Sequence, residues 1–272
     1  CGNDCFYCGI RRSNKNCKRY TLTREQILAC CAKGYILGLR SFVLQGGGGT
    51  VTADIICDII SDIHRIYPDC AITLSLGEYM RSEYEQMYFA GANRYSLHHT
   101  AADKKHFEKL HPGEMSFDNR MGCLRDLKDI GFRTGCGFMV GSPHQTSHTL
   151  AKELKFIEEF QPDMCSIIPF VPHKDTPFSS FHSGTLLQTA YLLSLIRLIK
   201  PNILLPSAMV LSSIAEDGRE RSIKAGANVV TVNLSPIPAC GKYSLPDNKT
   251  GREEAKRELE QLKTLLERIG YR

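Results

Sequence analysis

Strand-like runs alternate with amphipathic helical stretches along almost the whole chain, and this alternation limits the possible folds more than any other feature of the sequence. Strand candidates fall at 40–45 (RSFVLQ), 71–76, 94–97, 132–140, 163–169, 203–207 and 228–232. The connections between them carry helical signals. Thr23-Arg24-Glu25-Gln26 is a capping box opening a helix toward Leu37, and Ile55, Ile59, Ile63 and Ile66 share one helical face. Helices are also expected over 81–90, from Ser116 through Arg120, Leu124 and Leu127, at Leu150, Leu154 and Ile157, and over 186–200 and 219–224. A longer loop is expected from 170 to 184. Thr250-x-x-Glu253 is a second capping box, ahead of a stripe of Ala255, Leu259, Leu262, Leu266 and Ile269.

Strands separated by helices pair in parallel, because a parallel neighbour needs a crossover connection. Closing such a sheet gives an α/β fold, a TIM-type (βα) barrel. No linker interrupts the pattern, so residues 1–272 read as one barrel domain. In such a barrel the functional loops follow strands, yet no strand precedes the first loop here. The first strand is therefore expected to be missing, by truncation at the N-terminus, leaving one barrel edge open.

Composition excludes several classes. The 272 residues are 42% apolar, enough for a large core. A net charge of +5 is spread without a polybasic run, which does not point to nucleic acid. No apolar stretch approaches the roughly 18 residues needed to cross a bilayer. Twelve cysteines show no disulfide framework and follow no signal peptide, so reduced thiols and a cytoplasmic protein are expected.

Three of those cysteines crowd the start of the chain, in Cys1-Gly-Asn-Asp-Cys5-Phe-Tyr7-Cys8-Gly9. Thiolates are the usual ligands of iron-sulfur clusters and soft metals. A [4Fe-4S] cube held by three of them keeps one iron open to a ligand that is not protein. A zinc knuckle completed by Cys17 and a Cys5/Cys8 redox pair are the other readings of the same spacing.

The spacing, with an aromatic residue before the last cysteine, resembles the cluster loop of the radical S-adenosylmethionine (SAM) superfamily. Longer phrases narrow the likeness: Asn14-Lys15-Asn16 through Arg19-Tyr20, VLQ at 43–45, TLSLGE at 73–78, SFDNR at 116–120, MVGSPHQT at 139–146, PFVPHKDTPF at 169–178 and NVVTVNLSP at 228–236. Together they resemble the HydE family of [FeFe]-hydrogenase maturases, with biotin and methylornithine synthases close by in the same wider group. The resemblance implies one [4Fe-4S] cluster on Cys1, Cys5 and Cys8, and reductive cleavage of SAM to methionine and a 5′-deoxyadenosyl radical. It also implies a small substrate, in HydE an iron complex bearing cysteine, carbon monoxide and cyanide. The partners it implies are an electron donor such as a ferredoxin or flavodoxin and other hydrogenase maturases.

Strand ends should gather the site on one face of the barrel: Cys1, Cys5, Cys8, Gly46, Gly47, Gly48, Gly49, Ser75, Glu78, His98, Thr100, Met139, Ser207 and Asn233. The resemblance puts Tyr7 beside the adenine, Gly46–Gly48 near the methionine amino group and Arg120 near the methionine carboxylate; it assigns no catalytic base. A guanidinium suits a carboxylate, though Arg120 also reads as a solvated helix residue. Glu78 either orients a ligand or caps the next helix.

The chain departs from the family in three places. It reads QGGGG where an acid is usual, and His98-His99-Thr100 where arginine, histidine and glutamate are usual. Cys240 stands alone where some members bind a second cluster, so a single cluster is expected. His98 is expected to titrate near neutrality. Cys30, Cys31, Cys57, Cys123, Cys136 and Cys165 read as buried small hydrophobes, and His106, His111, His144, His148 and His173 as surface or loop residues. The rival functions are a biotin-synthase-like or methylornithine-synthase-like radical SAM reaction, and a noncatalytic metal-binding or redox protein.

Overall fold

The computed structural model describes residues 1–236, 239 and 255–271. The Thr250/Glu253 capping box and Cys240 lie outside them. In chain order the elements are α1 (Arg24–Ile36), β1 (Ser41–Gln45), α2 (Ala53–Ile66), β2 (Ala71–Ser75), α3 (Arg81–Phe89) and β3 (Arg94–Ser96). They continue with α4 (Lys104–Leu110), α5 (Phe117–Ile130), β4 (Arg133–Val140), α6 (Ser147–Phe160) and β5 (Met164–Pro169). The last are α7 (Leu186–Ile199), α8 (Leu211–Ile214), α9 (Gly218–Lys224) and α10 (Ala255–Arg268).

The sheet runs β1-β2-β3-β4-β5, every pair parallel, as the alternating sequence demands. The two further strands expected from the sequence survive only as single bridges, Met164 with Leu204 and Pro206 with Val229. They keep the parallel order through Cys165 N–H to Leu204 O (3.0 Å) and Ser207 N–H to Val229 O (2.8 Å). Pro201 and Pro206 flank and interrupt this stretch, and a proline has no N–H to give to a ladder. Arg197 on α7 supplies what the ladder lacks: Nη1 donates to Pro201 O (2.6 Å) and Ile203 O (2.8 Å), and Nη2 to Gly226 O (2.7 Å).

Strand periodicity sorts the side chains into two layers. Phe42, Ile72, Leu74, Tyr95, Phe138 and Ile167 face the helices and form the main core with Ile60, Ile63, Tyr84, Leu127 and Ile157. On α2 Ile59 and Ile63 are buried as the isoleucine spacing expects, joined by Ile56 and Ile60, whereas Ile55 and Ile66 are exposed. The expected and the observed stripe both have helical spacing, and packing against β1 and β2 decides between them. Burying each of Ile60 and Ile63 contributes about 1.5–3 kcal/mol. The opposite parity, Thr73, Ser75, Ser96, His98, Gly135, Gly137 and Met139, lines the concave side. There a Cβ on Gly137 would come within 2.3 Å of Ser166 O and 2.8 Å of the His98 ring, so the strands close only around a bare backbone.

Of the two capping boxes, the one within the described residues holds. Thr23 and Gln26 form the reciprocal box, and Ser116 accepts from Asn119 N–H. Helices α4 and α8 carry no strong sequence signal and were not expected. Residues 170–184 form no helix or strand, and α10 buries Ala255 and Leu262. Among the described residues no helix is long and apolar enough to cross a membrane.

Candidate active site

The N-terminal cysteine loop lies across the ends of β1 and β2, and glycines make the crossing possible. Gly2 N–H donates to Gly48 O (2.8 Å). A Cβ on Gly47 would lie 2.5 Å from Cys1 Cα, and one on Gly77, whose φ is +91°, would lie 2.7 Å from Gly48 Cα. Gly46–Gly48 are thus fixed in place against Cys1–Asn3, with the Gly46 N–H donating to Ser75 O (3.1 Å). Gly49, at φ +69°, leaves open space where a side chain would stand.

Asp4 holds the loop from inside. Its carboxylate accepts from Arg11 Nε (2.9 Å) and Nη2 (2.7 Å), and from Ser13 N–H (2.9 Å) and Oγ–H (2.7 Å). The guanidinium holds the Asp4 carboxyl well below the usual carboxylate range. Asn14, buried, donates to Gly9 O (2.6 Å). The thiols so placed face different neighbours. Cys5 lies 3.7 Å from Met115 Sδ, and burial pushes its thiol up to about 11. Burial also raises Cys8. Among the described residues no three His, Cys, Asp or Glu side chains close on one point as ligands of a single ion do. A polynuclear cluster instead spreads its ligands over its corners, and a loop offering three soft donors with Asp4 already committed to Arg11 and Ser13 fits one.

Arg120 is buried, which removes the reading of a solvated helix residue. Its Nε donates to Glu78 Oε1 (2.7 Å) and its Nη1 to His98 O (2.6 Å), and the guanidinium lies 5.9 Å from the centre of the Phe107 ring. Glu78 is therefore a partner of Arg120 and not a cap of α3, whose N-terminal amide of Met80 is met by Glu83 (2.7 Å). Despite its burial, Arg120 stays fully charged, because the Glu78 carboxylate offsets the loss of water.

Tyr7 points inward, its hydroxyl 3.3 Å from His111 Nε2 and 3.5 Å from Thr100 Oγ1. Burial raises the phenol well above its ordinary value, so it remains a donor. His111 Nδ1 is 2.9 Å from Phe107 O and must carry the proton, leaving Nε2 to accept from Tyr7. Burial holds His111 at about 4 and, with the positive charge of Arg120 nearby, His98 at about 4. The expectation that His98 titrates near neutrality is therefore corrected: beside Arg120 a second cation is disfavoured. Thr100 has φ +71°, rare for a β-branched residue.

Met139, Phe107, Leu110, Phe170 and Phe178 form a second apolar group, joined by Phe6, Tyr7 and Met115. It floors the site next to a cavity of about 240 Å³ bordered by Gly2, Asn3, Glu78, Met115 and Asn119. Two expected members have protein partners of their own. Ser207 is spent on Ser222 of α9 (Oγ to Oγ, 2.6 Å), and Asn233 Oδ1 accepts from Ser235 N–H (3.0 Å). His106 and His111 are buried rather than on the surface, Cys31, Cys123, Cys136 and Cys165 are buried as expected, and Cys30 and Cys57 only partly so. Asp4, His111 and Met115 were missed by sequence reasoning. Only Asp4, set between two of the cysteines, carried a local signal.

A curled parallel α/β sheet with a three-cysteine loop across its strand ends defines a class, and the comparisons agree. The chain belongs to the radical SAM superfamily, whose family pattern matches residues 1–157. Members of that superfamily are enzymes that use SAM and a [4Fe-4S] cluster. Among individual proteins, the [FeFe] hydrogenase maturase subunit HydE of Thermotoga maritima is 40% identical over 250 residues, 92% of this chain and 71% of that protein. The 3-methylornithine synthase of Methanosarcina acetivorans is 26% identical over 273 residues, covering 99% and 76%. Among solved structures, methylornithine synthase (PylB) has a TM-score of 0.86 at 24% identity, covering 100% of this chain and 79% of its own. The FeFe-hydrogenase maturase HydG of Carboxydothermus hydrogenoformans has a TM-score of 0.77 at 16% identity, covering 100% and 64%. These structural likenesses establish the fold, a radical SAM barrel of TIM type.

Proposed function

We propose that this chain binds one [4Fe-4S] cluster through Cys1, Cys5 and Cys8, cleaves SAM reductively beside it, and acts as a HydE-like maturase in assembling the [FeFe]-hydrogenase active-site cofactor. The observation that carries the reading is the convergence of Tyr7, Thr100, Glu78 and Arg120 on the inner side of the cysteine loop, in a chain 40% identical to HydE of Thermotoga maritima. When bound, the cluster supplies the electron that splits SAM into methionine and a 5′-deoxyadenosyl radical.

The residues of the chain do the rest. Arg120, held by Glu78 and His98 O, presents a fixed positive charge for the methionine carboxylate. Tyr7 and Thr100 border the adenosine side, and Met139 beneath them belongs to the apolar floor. The bare backbone of Gly46–Gly48 lets the methionine amino group come close. Ser75 and His98 complete the rim, His98 as a neutral ring. Phe6, Phe107, Phe170 and Phe178 keep water from the reacting carbon, as a primary radical demands. The substrate class is a small sulfur-bearing iron complex, the electron donor a ferredoxin or flavodoxin, the setting cytoplasmic, and the other partners hydrogenase maturases.

The departures at His98 and Thr100 favour a second reading, a methylornithine-synthase-like reaction on a less anionic substrate. Anaerobic reconstitution with iron and sulfide analysis, followed by SAM cleavage under dithionite, tests the first reading. Cys1→Ala, Cys5→Ala and Cys8→Ala should each lose the cluster absorbance and the cleavage, and Cys123→Ala should keep both. A full cluster in the Cys5 variant refutes the assignment. Turnover of a cysteine-bearing iron complex against an amino-acid substrate then separates the two readings.

A further inference from the structure

Behind the site, between β3, β4 and α6, a carboxylate is buried with no access to solvent: Glu153 is 0% exposed. Both of its oxygens are engaged. Oε2 accepts from His99 Nε2 (2.6 Å), and Oε1 accepts from the Ala102 N–H (2.9 Å). The Gly137 N–H points at His99 Nδ1 (3.3 Å), which places the ring proton on Nε2, toward Glu153. His99 and Ala102 are not ordinary neighbours, because they flank the most strained residue of the site. Ala101 N–H donates to His99 O (2.8 Å), closing a three-residue turn around Thr100 at φ +71°. A γ-turn with a positive central φ is rare and strained, more so at a β-branched residue.

Such a conformation persists only where its surroundings over-determine it. Glu153 grips one side chain before the turn and one amide after it, from a different element, α6. What the turn presents is functional: Thr100 Oγ1 toward Tyr7 and, one residue before the gripped histidine, His98 O toward Arg120. We propose that Glu153 is a positioning residue, a two-point clamp that holds Thr100 in its strained turn and so sets both the Tyr7/Thr100 and the Arg120/His98 contacts offered to SAM. This rests on the reading that SAM binds at this strand end.

Glutamine at 153 can accept from only one of the two donors, since its amide nitrogen would face the other. Glu153→Gln should therefore release one side of the turn, at His99 or at Ala102, and raise the SAM dissociation constant of the reconstituted chain about tenfold. A general loss of packing would weaken SAM binding in any background, whereas a clamp against strain matters only while there is strain to hold. The discriminating measurement is the effect of Glu153→Gln within Thr100→Ala, which loses the hydroxyl but keeps the strained Cβ, and within Thr100→Gly, which loses both. The clamp predicts a large effect in the alanine background and a small one in the glycine background; equal effects overturn it.

If Glu153→Gln does not fold, the melting temperatures of the two single Thr100 variants decide. Glycine should melt above alanine, because alanine at positive φ is strained beyond the entropy that glycine costs, and the reverse order refutes the strain. Wild-type chain that fails to bind SAM removes the reading beneath the proposal, and the functional claim falls with it. Normal wild-type binding with an unchanged SAM dissociation constant in Glu153→Gln overturns the clamp alone.

Discussion

Arg120→Ala is the substitution with the most to reveal, because one guanidinium is asked to serve both the fold and the ligand. Its Nε and Nη1 are bound at 2.7 and 2.6 Å, and its side chain and that of Glu78 are only 7% and 22% exposed. Removing it deletes two charge-assisted bonds and leaves the Glu78 carboxylate half-enclosed without a counter-ion. Full burial of such a pair would make the loss about 3–5 kcal/mol; the residual access of Glu78 to water brings the expected destabilisation to about 3 kcal/mol. Urea unfolding of the cluster-free chain measures it.

The ligand term is separate. With Nε and Nη1 engaged, the guanidinium can add about one charge-assisted contact to a carboxylate, about 1.5–3 kcal/mol, or roughly ten- to a hundredfold in the SAM dissociation constant. Calorimetric titration of SAM into the reconstituted variant, with cluster content checked by iron and sulfide, isolates that term. Glu78→Gln gives the control, since it keeps the Arg120 charge and should lower stability while altering SAM affinity much less. An Arg120→Ala chain that binds SAM as tightly as the wild type, or a Glu78→Gln chain that weakens it equally, would refute the division of roles.

Other consequences can be tested directly. Asp4→Asn offers one acceptor oxygen where four donors now converge and should cost about 2 kcal/mol, read as iron retained after reconstitution by a chain of unchanged circular dichroism; undiminished iron would count against Asp4 as the pin of the loop. His111 takes up its proton near 6.5 when unfolded and near 4 when buried, so between those values the unfolded chain binds more protons. Its contribution to stability is complete above about 6.5 and is lost as the pH falls toward about 4; a melting temperature that falls over that window in the wild type, and less in His111→Gln, is the expected result. Thr100→Ala should weaken SAM binding by less than about fivefold, the hydroxyl being a long neutral contact at 3.5 Å from Tyr7.

What the sequence made legible was local. The glycine run after β1, the Thr23 and Ser116 caps and the parallel alternation through β1–β5 each depend on residues a few positions apart, and all are found where the spacing put them. Pairings across the fold left no such trace. Arg120 meets Glu78 across 42 positions and Tyr7 meets His111 across 104, so neither spacing could announce that a helix arginine is buried or that a loop histidine is a neutral acceptor. On α2 two stripes of equal helical quality competed, and only contact with the sheet chose between them. Around 203–207 and 228–232 apolar content suggested strands, but the prolines at 201 and 206 limit the pairing to single bridges.

Arg197 bears on how the molecule comes apart. The positions after β5 join the sheet through a few backbone bonds, and this one side chain gathers carbonyls from Pro201, Ile203 and Gly226. The segment's buried Ile203 and Leu205 tie it to the main core, but with so few ladder bonds it is expected to open before β1–β5 do. One side chain, far from the cysteine loop, thus sets how tightly that flank of the sheet is held.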